Sequence, residues 1–144
     1  MIQRIQTIFF FLVAAGYGAL FGVPFASTDK VVNGLFTDKL YSLSDNIALQ
    51  ALAGLGIALA VATIFMYRNR KNQIKTGYGL ASISIILPIT AILIYIDEKA
   101  DFSTVVVEDQ AGLYIPIGIL IFALLGVRFV QKDDKLVQSM DRLR

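Results

Sequence analysis

Along this chain the apolar residues come in four long stretches, and the charges gather in the segments between them. The stretches cover residues 5–23, 48–67, 77–96 and 114–130. The first stops at Pro24, and the second carries no charged residue. A helix needs about 20 largely apolar residues to cross about 30 Å of hydrocarbon. The pattern therefore predicts an all-α membrane protein, a bundle of four transmembrane helices making one membrane domain over residues 1–144. Pro116 falls near the first turn of the fourth helix, where a missing N–H costs little. Arg128 lies near that helix's other end, and its long stem lets the guanidinium snorkel to the interface.

The first stretch follows a basic residue, Arg4, as a secretory signal would. Its run is longer than the roughly 7–15 residues of a signal's apolar region, and Val23-Pro24-Phe25-Ala26-Ser27 offers no small-x-small cleavage site. It is read as a retained span.

The segments between spans carry their own patterns. In residues 25–46, Lys30-Val31-Val32-Asn33-Gly34-Leu35-Phe36 sets Asn-Gly between β-formers, the strongest short-range hairpin signal. In residues 97–113, Phe102-Ser103-Thr104-Val105-Val106-Val107 is a β-branched run. A lone hairpin is marginal in water and a third strand stabilises it. The expectation is a small extracytoplasmic β-sheet, a hairpin from the first segment joined by a strand from the second. Ser44 is placed to cap the second helix. Residues 131–144 read as a short cytoplasmic amphipathic helix with Leu136, Val137, Met140 and Leu143 on one face. Asp133 and Asp134 near its start, and Arg142 and Arg144 near its end, suit the helix dipole. A helix this short needs support. Leu136, Val137, Met140, Asp141, Arg142 and Leu143 are accordingly candidate docking residues, towards the membrane surface, the underside of the bundle or a partner.

Composition agrees with the pattern. The chain is 56% hydrophobic and 17% charged, against roughly 45–50% and about 25% for soluble domains. Short flanking segments on one side hold ten basic residues and those on the other side three. That imbalance places both termini and residues 68–75 in the cytoplasm. A net charge of +2 is too small to suggest nucleic-acid binding.

The residue inventory excludes much chemistry. With no cysteine there are no disulfides or thiolate sites, and with no histidine the commonest general base and metal ligand is missing. No acid or base lies deep in the four stretches, where an ionisable residue would be the default functional pointer. Away from the start of the first stretch, the polar residues there include Gln50, Thr63, Ser82, Ser84 and Thr90. Ser82 or Ser84 as a nucleophile would lack a base. The expectation is a protein that is not an enzyme and holds no cofactor or metal. Pro88, in the third stretch, removes an N–H and frees the carbonyl of Ser84. It is read as a packed kink, with a hinge or lined cavity as the other reading.

Two surfaces remain. Ala14, Gly18 and Gly22 form a small-residue stripe in the first helix, and Gly54, Ala58 and Ala62 form another in the second. Gly56 and Ala60 make a shorter stripe beside it. Such stripes let helix backbones approach closely. They are read as packing of the first helix on the second, or as a dimer or partner seam. Arg68, Arg70, Lys71 and Lys75 are candidate contacts to anionic lipid headgroups, beside their plain role in setting topology. Subtraction leaves a non-enzymatic scaffold or accessory subunit as the leading expectation. It would touch membrane lipids, a protein partner in the membrane or cytoplasm, and in one variant further copies of itself. The alternative is a transporter or channel-like oligomer passing a small or lipidic molecule. A scaffold should have a dry, filled interior, and a carrier a continuous polar cavity near Ser84 and Thr90.

The two ends carry a resemblance. Met1-Ile2-Gln3-Arg4-Ile5-Gln6-Thr7 and Asp134-Lys135-Leu136-Val137-Gln138-Ser139-Met140-Asp141-Arg142-Leu143-Arg144, with the basic residues 68–75 between, resemble the bacterial family of domain of unknown function 4293. The resemblance covers the whole chain. It implies a four-helix inner-membrane protein of Gram-negative bacteria, and it implies no activity and no site residues.

Overall fold

A computed structural model describes residues 5–31, 34–98 and 106–141. These hold four α-helices, α1 (Ile5–Ala19), α2 (Ile47–Phe65), α3 (Arg70–Glu98) and α4 (Ile115–Asp141). Three short strands lie between them, β1 (Ala26–Thr28), β2 (Leu40–Tyr41) and β3 (Val107–Asp109). α1 packs on α2 and α4, and α3 packs on the same two, so the helices form a closed ring of neighbours. Three helical stretches are long and apolar enough to cross a membrane, Ile47–Arg68, Arg70–Asp97 and Ala111–Ser139. α1 is a shorter apolar helix of 15 residues. Large apolar side chains such as Phe11, Ile89, Leu93 and Ile117 are exposed on the outside, as a lipid-facing surface requires.

Side-chain size rather than polarity sets the inner packing. Phe10 is fully buried between Gly77 of α3 and Gly126 of α4, and a Cβ on Gly126 would lie 2.9 Å from its ring. Tyr17 lies across Gly56 of α2 in the same way, at 2.7 Å from such a Cβ. Its hydroxyl donates to the Leu80 carbonyl at 3.2 Å, which ties α1 to α3 through the middle of the core. Val13, Leu80, Leu87, Ile119, Ala123 and Val127 fill the rest. α3 continues through Pro88 as one helix, and the Ser84 hydroxyl bonds the Ala81 carbonyl at 2.8 Å.

Several element ends differ from the sequence expectation. The first helix stops at Ala19 rather than Val23, because Phe21 and Gly22 bond carbonyls three residues back and Pro24 forbids continuation. α2 is capped by Asn46 and not by Ser44. The Asn46 side chain accepts from Ala48 N–H at 2.8 Å, while the Ser44 carbonyl accepts from Gln50 Nε2. Residues 68–75 do not form a loop. α2 tightens into a turn over Met66–Arg68, Asn69 caps the next helix by accepting from Asn72 N–H at 3.2 Å, and α3 starts at Arg70. The C-terminal segment is likewise no separate short helix, since α4 runs unbroken to Asp141. Nothing in residues 131–141 breaks a helix, and Gln131 Nε2 donates to Tyr78 Oη at 3.0 Å, holding the continuation against α3.

The sheet has the expected make-up but a different register in the chain. β1 is central, antiparallel to β2 on one side and to β3 on the other. β1 and β2 pair Ala26 with Tyr41 and Ser27 with Leu40, so they do not flank the Asn-Gly pair directly, and Asn33 itself lies outside the described residues. Gly34 takes a left-handed φ of 102°, but Leu35 and Phe36 form a turn and are buried, with Phe36 edge-on to Tyr41 at 6.3 Å. The return turn is made at Asp38, which accepts from Leu40 N–H, and at Lys39, whose φ is 67°. Of the expected strand over 102–107, residues 102–105 lie outside the described residues, and β3 begins at Val107.

Candidate functional site at the basic end of the helices

α1 and α3 begin, and α2 and α4 end, around one groove of about 540 Å³. Gln6 and Thr7 come from α1, Tyr67 from the turn after α2, Arg70 from the start of α3 and Asp133 from the continued α4. Ile64 and Phe65, the end of the apolar run of α2, complete the lining.

A buried polar chain lies within these residues. Gln73 Nε2 donates to the Thr63 carbonyl at 3.1 Å. Thr63 sits in the last turn of α2, where carbonyls have no partner along the helix. Gln73 thus caps α2 from α3, and its amide oxygen is left for Gln6. Gln6 Nε2 donates to that oxygen at a long 3.5 Å. This orientation commits both NH₂ groups as donors. It leaves Gln6 Oε1 buried without a hydrogen-bond partner, on a side chain only 7% exposed. Such an acceptor costs about 1–3 kcal/mol. Arg70 and Asp133 are both half-buried in the same groove, and they form no ion pair with each other.

The candidate residues from the sequence fall in different places. Ala14 is half-buried, while Gly18, Gly22, Gly54, Ala58 and Ala62 are exposed. Around Gly18 and Gly54 an added Cβ would meet no atom within 4 Å. The two stripes therefore do not pack α1 on α2; the shorter stripe of Gly56 and Ala60 is buried instead. Of the four basic residues, Arg68, Lys71 and Lys75 are exposed and Arg70 alone lines the groove. Leu136 is exposed and Val137 half-buried. The side chains of Met140 and Asp141, and residues Arg142 and Leu143, lie outside the described residues.

The sequence reading named Asp133 only for the helix dipole, and it named none of Gln6, Gln73 and Asp133 as a site residue. A signal existed for Gln6, a carboxamide at the second residue of an apolar helix. Asp133 gave no sign of a site, because only the unbroken α4 brings it to the groove.

Two further cavities are apolar in character. One of about 360 Å³ lies between the sheet and the end of α3, at Tyr41, Ala91 and Tyr95, and one of about 350 Å³ lies along α3 and α4 at Tyr78, Arg128 and Gln131. Ser84 and Thr90 line none of these three spaces, and each hydroxyl bonds its own helix, to Ala81 and Ile86. Among the described residues, no three histidine, cysteine, aspartate or glutamate side chains are grouped to hold a metal.

A family model described as Domain of unknown function (DUF4293) matches residues 2–143, essentially the whole chain. No curated protein and no solved structure gives a significant match.

Proposed function

We propose that the chain, which belongs to the family of domain of unknown function 4293, is a non-enzymatic scaffold or accessory subunit of a bacterial inner-membrane complex. In this reading it spans the bilayer four times, with both termini and the groove of Gln6, Arg70 and Asp133 on the cytoplasmic side. α1 supplies the fourth crossing. Its 15 helical residues rise about 22 Å, and the tight turns through Gly22 extend it alongside α2 and α4. The ten basic residues of the inner flanks support the orientation.

The observation that carries the scaffold reading is the filled middle of the helices. Phe10, Tyr17, Leu80, Leu87 and Ile119 occupy it at 0–1% exposure. The hydroxyls of Ser84 and Thr90, the candidate wall of a transport path, are spent on carbonyls of α3. Besides Ser84, the buried polar side chains of the described helices, Gln6, Thr63 and Gln73, gather at the basic end and not along the middle.

The docking face is then the α4 continuation, where Leu136 is 55% exposed. Deleting residues 132–144 and comparing affinity purifications at native expression, read by mass spectrometry, tests this. Loss of at least one abundant co-purifying protein is expected. An unchanged partner list overturns the scaffold reading.

A further inference from the structure

We propose that the groove at the basic end binds a phosphoethanolamine headgroup carried by a membrane phospholipid. The inference rests on the membrane reading of the helices and is independent of whether the protein is a scaffold.

Two opposite charges in one groove ask for complementary chemistry. Arg70 supplies a guanidinium whose planar fork of N–H donors suits a phosphate. It is also the first residue of α3, so the positive dipole end of a 29-residue helix borders the same space. Asp133 supplies a carboxylate that is half-buried and unpaired with Arg70. A ligand that settles both must be a zwitterion with an anion for Arg70 and a cation that also donates hydrogen bonds.

That requirement separates the common headgroups. A primary ammonium is a cation with three N–H donors for the Asp133 carboxylate. A choline group is a cation with methyl groups in place of donors, so it offers that carboxylate no hydrogen bond. A glycerol headgroup has hydroxyl donors but brings no cation to Asp133. The lipid, rather than a free headgroup, is indicated by the other wall. Ile64 and Phe65 line the groove, and Phe65 is 73% exposed at the end of an apolar helix, where glycerol and acyl carbons have a surface to lie on. The space of about 540 Å³ lies within the usual range of small-molecule sites.

The test uses the full chain in detergent doped with equal amounts of phosphatidylethanolamine, phosphatidylcholine and phosphatidylglycerol, with retained lipids counted by native mass spectrometry. Phosphatidylethanolamine should be enriched over phosphatidylcholine by about tenfold, the factor that one hydrogen bond to a charged group supplies. Arg70→Ala should lower retention of all three lipids by about tenfold, because all three carry the phosphate. Asp133→Asn should abolish the enrichment and turn the preference towards phosphatidylglycerol. Lys71→Ala and Lys75→Ala, on exposed residues, should leave retention and enrichment unchanged, and melting curves of all variants separate lost binding from lost folding. Equal retention of the three lipids overturns the proposal, as does an enrichment that survives Asp133→Asn or a retention that Arg70→Ala leaves unchanged. Competition with millimolar O-phosphoethanolamine distinguishes the sources. Little displacement supports the lipid, and full displacement overturns the lipid assignment in favour of the free headgroup. Recovery of the chain from the soluble fraction would instead refute the membrane reading itself.

Discussion

Gly77 and Gly54 are both glycines in apolar helices, yet a methyl group added to each would meet opposite surroundings. At Gly77 it would run into Val127 and lie 3.5 Å from the ring of Phe10, whereas at Gly54 it would meet nothing within 4 Å. Gly16, Gly56 and Gly126 behave like Gly77, each covered by a large side chain of another helix, and Gly18 behaves like Gly54. Small residues at fourfold spacing therefore do not by themselves mark the inner seam, since Gly56 and Ala60 lie in it while Gly54, Ala58 and Ala62 are exposed. The seam is made where a glycine stands opposite Phe10, Tyr17 or Ile119, one partner supplying the space and the other the volume. In a lipid-facing chain this is how close packing is specified, because apolar burial alone does not distinguish helix from acyl chain.

Three substitutions would break or sharpen that contrast. Phe10→Ala should be the most damaging, at about 3–5 kcal/mol, because it empties the space between two glycines that cannot fill it. Chemical denaturation in mixed micelles would measure this, and a loss below that of Gly77→Ala would mean that Phe10 is not the central knob. Gly77→Ala should cost about 1–3 kcal/mol, since Val127 is short and β-branched and has little room to yield. Gly54→Ile should stay within about 0.5 kcal/mol in the same assay, as an exposed substitution. Native electrophoresis of the same variant carries the second half of the comparison. Complexes that vanish while stability is kept would make the outward stripe of Gly54, Ala58 and Ala62 a partner seam. Destabilisation as large as that of Gly77→Ala would erase the contrast.

The helices were legible because length and apolarity survive averaging, and three of the four stretches are long apolar helices at nearly the expected places. Their faces were not legible. A helix with lipid on one side and helices on the other is apolar all round, so no period distinguishes Gly54 from Gly56. Helix ends were also hidden where polar residues continue a helix. Residues 68–75 read as a loop and residues 131–144 as a separate short helix, whereas α3 begins at Arg70 and Gln131 to Asp141 are the last turns of α4. The family was legible from the terminal motifs, and it is the family that the chain matches over residues 2–143. The groove was legible only through Arg70. Its other members, Gln6 and Asp133, are 127 positions apart, and only the continued α4 makes them neighbours.

The small sheet joins parts of the chain that are otherwise separate. β1 belongs to the connection between α1 and α2, β3 to the connection between α3 and α4, and their pairing from Ala26–Asp109 to Thr28–Val107 clamps the two connections together. At the opposite end a tight turn over Met66–Arg68, followed by Asn69, links α2 to α3. The sheet end is further tied to the helices by Tyr41 Oη, which donates to the Ala91 carbonyl of α3 at 2.9 Å, so one short ladder holds both connections and one helix in a single position.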